Sequence, residues 1–120
     1  MTEQKKRSIA AVQWVNIRLT DNDKELLRDR EVNVAEVLAQ ISDLMLAGYR
    51  LSVSFDEYSQ AMQASLVCAD DASADYGCGM SARHPDLDLA LLSLLYKATV
   101  LVKPGHWHER LDKPRFDSWS

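Results

Sequence analysis

The residues of this chain best suited to chemistry are aromatic rings set among cations. The stretch KPGHWHERLDKPRFDSWS interleaves Trp107, Phe116 and Trp119 with His106, His108, Arg110, Lys113 and Arg115. Far upstream, WVNIR sets Trp14, Asn16 and Arg18 on alternate positions. A ring of this kind stacks one base of a single-stranded nucleic acid for about 1–3 kcal/mol, while Arg and Lys neutralise the phosphates. The same rings also suit a subunit interface, or an arm docked on the protein's own body. Charge does not choose between these, because Lys103, Arg110, Lys113 and Arg115 less Glu109, Asp112 and Asp117 leave +1 with neutral histidines.

Reactive chemistry has little support. The chain has no glycine-rich phosphate loop, no G-x-S-x-G and no H-E-x-x-H. His106 and His108 would share a side of an extended segment, with Glu109 adjacent. Spacing fixes no third ligand, so no metal is expected. Asp70, Asp71 and Asp75 read as a solvated loop. No pair of residues nominates a nucleophile and its base. The expectation is a non-catalytic protein without a cofactor.

At 120 residues, 47% hydrophobic and 27% charged, the chain has the size and composition of one globular domain. Cys68 and Cys78 form neither a C-x-x-C nor a zinc pattern, and both fall in strand-like segments, which predicts buried free thiols. No apolar run approaches the ~20 residues of a membrane span. MTEQKKRSIAAVQW lacks the apolar stretch of a signal peptide, so a cytoplasmic protein without a membrane partner is expected. The formal charge of −4 is unevenly spread. Lys5, Lys6 and Arg7 cluster in one place and the tail cations in another, with acids between them.

The elements that must position these residues can be read from periodicity. Residues 1–10 read as a flexible arm. From Ala11, Val15, Ile17 and Leu19 alternate with Trp14, Asn16 and Arg18, a strand with one wet face. Thr20, Asp21 and Asp23 start a short helical turn through Leu26 and Leu27, with Glu31 to Asn33 interrupting it. Asn33 and Glu36 resemble a capping box, and Val34, Val37, Leu38, Ile41, Leu44 and Met45 recur at helical spacing up to Gly48. Three strands come next, in RLSVSFD, AMQASLVC and YGCGMSARH. Pro85 suits the first position of a last helix, whose apolar face is Leu87, Ala90, Leu91, Leu94, Leu95 and Ala98. TVLV either ends that helix or begins an extended segment. The order β-α-β-β-β-α predicts an α+β two-layer sandwich, an antiparallel sheet with its helices on one face. The domain spans 11–102, and 103–120 form a basic, aromatic tail.

If the helices cover the face bearing Val15, Ile17, Leu51, Val53 and Phe55, the opposite face displays Trp14, Asn16, Arg18, Arg50, Ser52, Ser54, Gln63, Ser65, Ser81 and Arg83. That face is expected to stack bases on Trp14 and to hold phosphates with Arg18, Arg50 and Arg83. The tail would be an auxiliary contact through Trp107, Arg110, Lys113, Arg115 and Phe116.

Two resemblances bear on this reading. The α-β-β-β-α order from the helix expected over 34–47 to the last helix is similar to that of double-stranded RNA-binding domains, and YGCGMSARHPDLDLALLSLL resembles their last strand and helix start. Those domains place lysines where this chain has HPDLDL, so the likeness is one of topology. WVNIRLTDND, GYRLSVSFDE, QASLVC, GMSARHPDLDLALLSLLYK and Trp107 together resemble small phage-encoded proteins of the single-stranded DNA-binding type. That resemblance covers most of the chain and implies a DNA-binding role inside a host cell, with Trp14, Arg18, Arg83 and Lys97 inside its segments.

The expected function is non-catalytic binding of single-stranded DNA, or RNA, by a homo-oligomer, with a dimer favoured because one small domain offers few contacts. The competing expectation is an assembly module whose sheet face and tail are oligomer interfaces.

Overall fold

The computed structural model describes residues 6–9, 11–28, 31–103 and 105–111. Strands β1 (Lys6–Ser8) and β2 (Gln13–Val15) precede helix α1 (Asp21–Leu27), strand β3 (Glu31–Asn33) and helix α2 (Val34–Leu46). Strands β4 (Tyr49–Asp56), β5 (Ala61–Cys68) and β6 (Gly79–His84) come next, then helix α3 (Leu87–Tyr96), a π-helical turn (Lys97–Leu101) and a 3₁₀ turn (Trp107–Glu109). The main sheet is antiparallel in the order β2-β6-β5-β4, and β1 pairs with β3 in a separate ribbon. This is the expected α+β arrangement, with helices packed against the sheet.

Local chemistry explains the boundaries. Thr20 caps α1 reciprocally: its hydroxyl accepts from Asp23 N–H at 3.1 Å, and the Asp23 carboxylate accepts from Thr20 N–H at 3.0 Å. Asn33 Oδ1 accepts from Ala35 and Glu36 N–H to open α2. Gly48, at φ +107, ends it in the left-handed region that a side chain resists. Asp86 is the N-cap of α3, so Pro85 lies one step before the helix rather than at its first position. TVLV continues from α3 as the π-helical turn, and the chain becomes extended only at Val102.

The inner face of the sheet is set by register. Trp14, Ala82, Ala64 and Val53 lie in one row across four strands, and Met80, Leu66 and Leu51 in the next. Ala64 and Ala82 are fully buried, and such small side chains let α3 approach the sheet closely. α2 packs beside α3 and on β4.

Both expected domain ends shift outward. Residues 6–8, expected in a flexible arm, form β1, and Ile9 is fully buried in the core. Residues 105–111 are folded onto the body, with Trp107 at 0% exposure. Residues 1–5 and 112–120 lie outside the described residues. No described helix is long and apolar enough to cross a membrane.

Candidate nucleic-acid interface

The sheet's outer face is built in rows. Gln13, Arg83, Gln63 and Ser54 form one across all four strands, and Val15, Ser81, Ser65 and Ser52 form the next. Arg50 and Val67 lie beyond them. Arg83 Nη2 donates to Gln63 Oε1 at 3.1 Å, and its Nε stands 3.6 Å from Asp56 Oδ2. Ser65 and Ser81 join hydroxyls at 2.9 Å. Arg50 and Ser54 are exposed. Asp56 is the one carboxylate on this face among the described strand residues, and it sits at a corner. Hydrogen bonds from the Ser59 hydroxyl and Tyr58 N–H, and then the Arg83 charge, hold its pKa below the usual carboxylate range.

Trp14 is not on that face. It shares the inner row with Ala82 and Ala64, and its ring lies 6.4 Å from that of Tyr96. The expected alternation fails because β2 ends at Val15 and Asn16 takes φ +63. This left-handed step reverses the parity, so Trp14 and Ile17 both turn inward although they are three residues apart. Asn tolerates that conformation better than most residues. Its Oδ1 is buried and accepts no hydrogen bond from the described residues. Half-buried Trp14 forms part of an open cleft of about 550 Å³ with Leu19, Leu27, Lys24, Arg28, Asp21 and Glu25. Two cations and two acids give that lining no net charge.

Lys97 is also withdrawn from solvent. It is fully buried, with Nζ 5.3 Å from the Trp14 ring centroid and donating to the carbonyls of Val15 and Ser81. The π-helical turn points it beneath the β2–β6 pair, where it ties the two strands together instead of meeting phosphate.

The tail's first half is a strap. Trp107 Nε1 donates to Val102 O at 3.1 Å, and its ring packs at 4.7 Å on that of Tyr49. Asp75, expected in a solvated loop, is at 0% exposure and accepts from Gly105 N–H, from His108 N–H at 3.3 Å and from His108 Nδ1 at 2.9 Å. Arg110 donates to Leu101 O, to Arg18 O and to the Asp23 carboxylate. Arg18 answers with N–H to Arg110 O and Nη2 to Glu109 O, both at 3.0 Å. Arg18 and Arg110 therefore hold the strap to the body. Trp107, expected as a stacking ring, is core. Lys113, Arg115 and Phe116 fall outside the described residues.

The strap's neighbours carry shifted acids. Burial, with Cys68, Asp75 and Asp70 nearby, pushes the Tyr49 hydroxyl up to about 12. Burial also pushes the Asp23 carboxyl up, but hydrogen bonds from Thr20 and Arg110 outweigh it and hold the pKa below its ordinary value.

No family model, curated protein or solved structure matches this chain.

Among the described residues no group of three or more His, Cys, Asp or Glu could hold a metal ion. His106 Nδ1 and Glu109 Oε2 stand 3.4 Å apart on the surface. Cys68 and Cys78 are buried free thiols. Of the aromatic and charged residues expected at the site, only Arg50 and Arg83 share the outer face among the described residues, with Ser52, Ser54, Gln63, Ser65 and Ser81 on the same side as expected. The structural partnerships of Asp75, His108, Tyr49 and Asp23 have no counterpart in the sequence reading. Asp75 carries no local signal that separates it from Asp70 and Asp71.

Proposed function

We propose that the protein is a non-catalytic binder of single-stranded nucleic acid, DNA before RNA, acting through the outer face of its sheet. The observation that carries this reading is the make-up of the outer face: Gln13, Arg50, Ser52 and Ser54 are exposed, Gln63, Ser65 and Arg83 half-buried and Ser81 buried, with a carboxylate only at the corner. Such a surface offers hydrogen-bond donors and positive charge to a phosphodiester backbone along several strands. With Trp14 and Trp107 turned inward, phosphate and sugar contacts replace base stacking as the main source of affinity. Among the described residues the carboxylates other than Glu31 and Asp56 fall on helices and loops, which leaves this face as the approach for an anion.

The test is fluorescence anisotropy of labelled oligo-dT against rising salt. Each lost phosphate contact lowers the slope of log K against log salt by about 0.7 on single strands. Arg50→Ser with Arg83→Ser should weaken binding and flatten that slope, and an unchanged slope would refute the reading. The inward packing of Trp14 and Trp107 favours a second reading, in which the outer face covers another protein. Absence of oligonucleotide binding even at low salt would leave that one standing.

A further inference from the structure

Strand β4 is the longer of the main sheet's two edge strands, the other being β2. Its eight residues pair with β5 on one side, and no described strand lies on the other. Natural edges of such length are usually bulged, charged or covered. Here residues 52–55 are all exposed, with Val53 at 43% and Phe55 at 53%. Two copies of one strand can pair antiparallel in a continuous sheet only about a two-fold axis normal to that sheet. Both copies then keep their helices on the same side, and paired residue numbers sum to an even total.

One such register fits this sequence. Centred on Val53, it sets Val53 against itself, Leu51 against Phe55, Ser52 against Ser54 and Arg50 against Asp56. Apolar meets apolar on the inner face, hydroxyl meets hydroxyl on the outer face, and each arginine meets a carboxylate. Centring on Ser52 sets Arg50 against Ser54, and centring on Ser54 leaves Arg50 beyond the partner strand. Beyond its place in the β4–β5 ladder, the Arg50 guanidinium makes no hydrogen bond or ion pair with the described residues. Directly opposed unlike charges and apolar pairs are the units that stabilise adjacent strands. We propose that two copies of this chain join β4 to β4 in the register centred on Val53, making one eight-stranded sheet. This surface is the rim of the sheet and not its face, so the proposal rests on neither functional reading.

Sedimentation velocity on the full chain from micromolar to millimolar concentration tests it. The wild type should show a monomer–dimer equilibrium, and Val53→Lys, which sets two ammonium groups opposite each other, should raise its dissociation constant at least about tenfold. Arg50→Glu and Asp56→Lys should each stay monomeric alone, yet dimerise when mixed, because the mixed pair restores both ion pairs. Circular dichroism checks that each variant folds. Should Asp56→Lys fail to fold, Val53→Lys decides. A wild type monomeric throughout, a Val53→Lys dimer as tight as wild type, or folded charge variants that stay apart on mixing would each overturn the proposal. Oligonucleotide anisotropy on Val53→Lys keeps the questions separate: dimer loss with binding retained supports the pairing, while dimerisation without any binding removes only the nucleic-acid reading.

Discussion

Asp75→Ala probes the strap directly. The Asp75 side chain is wholly inaccessible and accepts from two backbone N–H groups, of Gly105 and His108, and from the His108 ring. The ring is 27% exposed in its side chain, so it can turn to water when its acceptor is lost. The two backbone donors cannot do so without moving the segment. A buried donor stripped of its partner costs about 1–3 kcal/mol, and Asp75→Ala strips two, so a loss of about 3 kcal/mol is expected. That is a large share of the about 5–15 kcal/mol by which small domains are stable. Asp75→Asn keeps one acceptor oxygen and should lose less, and His108→Ala, which removes one bond, less again. Urea unfolding gives the free energies, and amide exchange at Gly105 and His108 shows whether the strap loosens before the core. A change within about 0.5 kcal/mol, as for an ordinary surface site, would refute the buried clamp.

The same region should make stability depend on pH at both extremes. Tyr49 titrates at about 12 in the folded protein against 10.0 when free, so between those values only the unfolded chain has lost its phenolic proton. Stability should therefore hold below about pH 10 and fall as pH rises toward 12. Tyr49→Phe should flatten that alkaline fall in thermal melts, and an unchanged alkaline limb would contradict the assignment. Asp23 has a lowered pKa when folded, so the unfolded chain takes up its proton first on acidification. Its contribution is present above the ordinary carboxylate pKa and disappears as pH falls through the folded value. Asp23→Asn should show a shallower acid limb than wild type, and parallel limbs would refute the Arg110–Asp23 tie.

The layers are legible in the sequence, and the parity of one short strand is hidden. Period-2 alternation in β4, β5 and β6 and period-3.6 spacing in α2 and α3 are repeated many times over, so packing has no reason to override them. In β2 the alternation rests on three paired residues, and a single left-handed step at Asn16 inverts the parity of the residues after it. Simple alternation therefore puts Trp14 on the wrong face, although the asparagine that turns it stands two positions on. Lys97 reads as a surface cation because lysine usually is one. A π-helical turn, which leaves no periodic signature, is what buries it. The tail's rings read as adhesive, but composition alone does not say to what. Their partners, Tyr49 and Asp75, lie dozens of residues away and become neighbours only after the sheet has formed.

The expected binding mode changes with these placements. On the proposed function, a face of serines, glutamines and two arginines would grip a backbone rather than read bases, so it should prefer neither purines nor pyrimidines. Pairing of β4 edges would lay two such faces side by side, letting one strand of nucleic acid meet both at raised effective concentration.

The most direct measurement is an amide chemical-shift titration of the full chain with a short oligo-dT at low salt. Binding through the outer sheet face predicts perturbations concentrated at Gln13, Ser52, Ser54, Gln63, Ser65 and Arg83, fading as salt is added. Shifts confined to α2, α3 or the strap, or no shifts at any ratio, would contradict it.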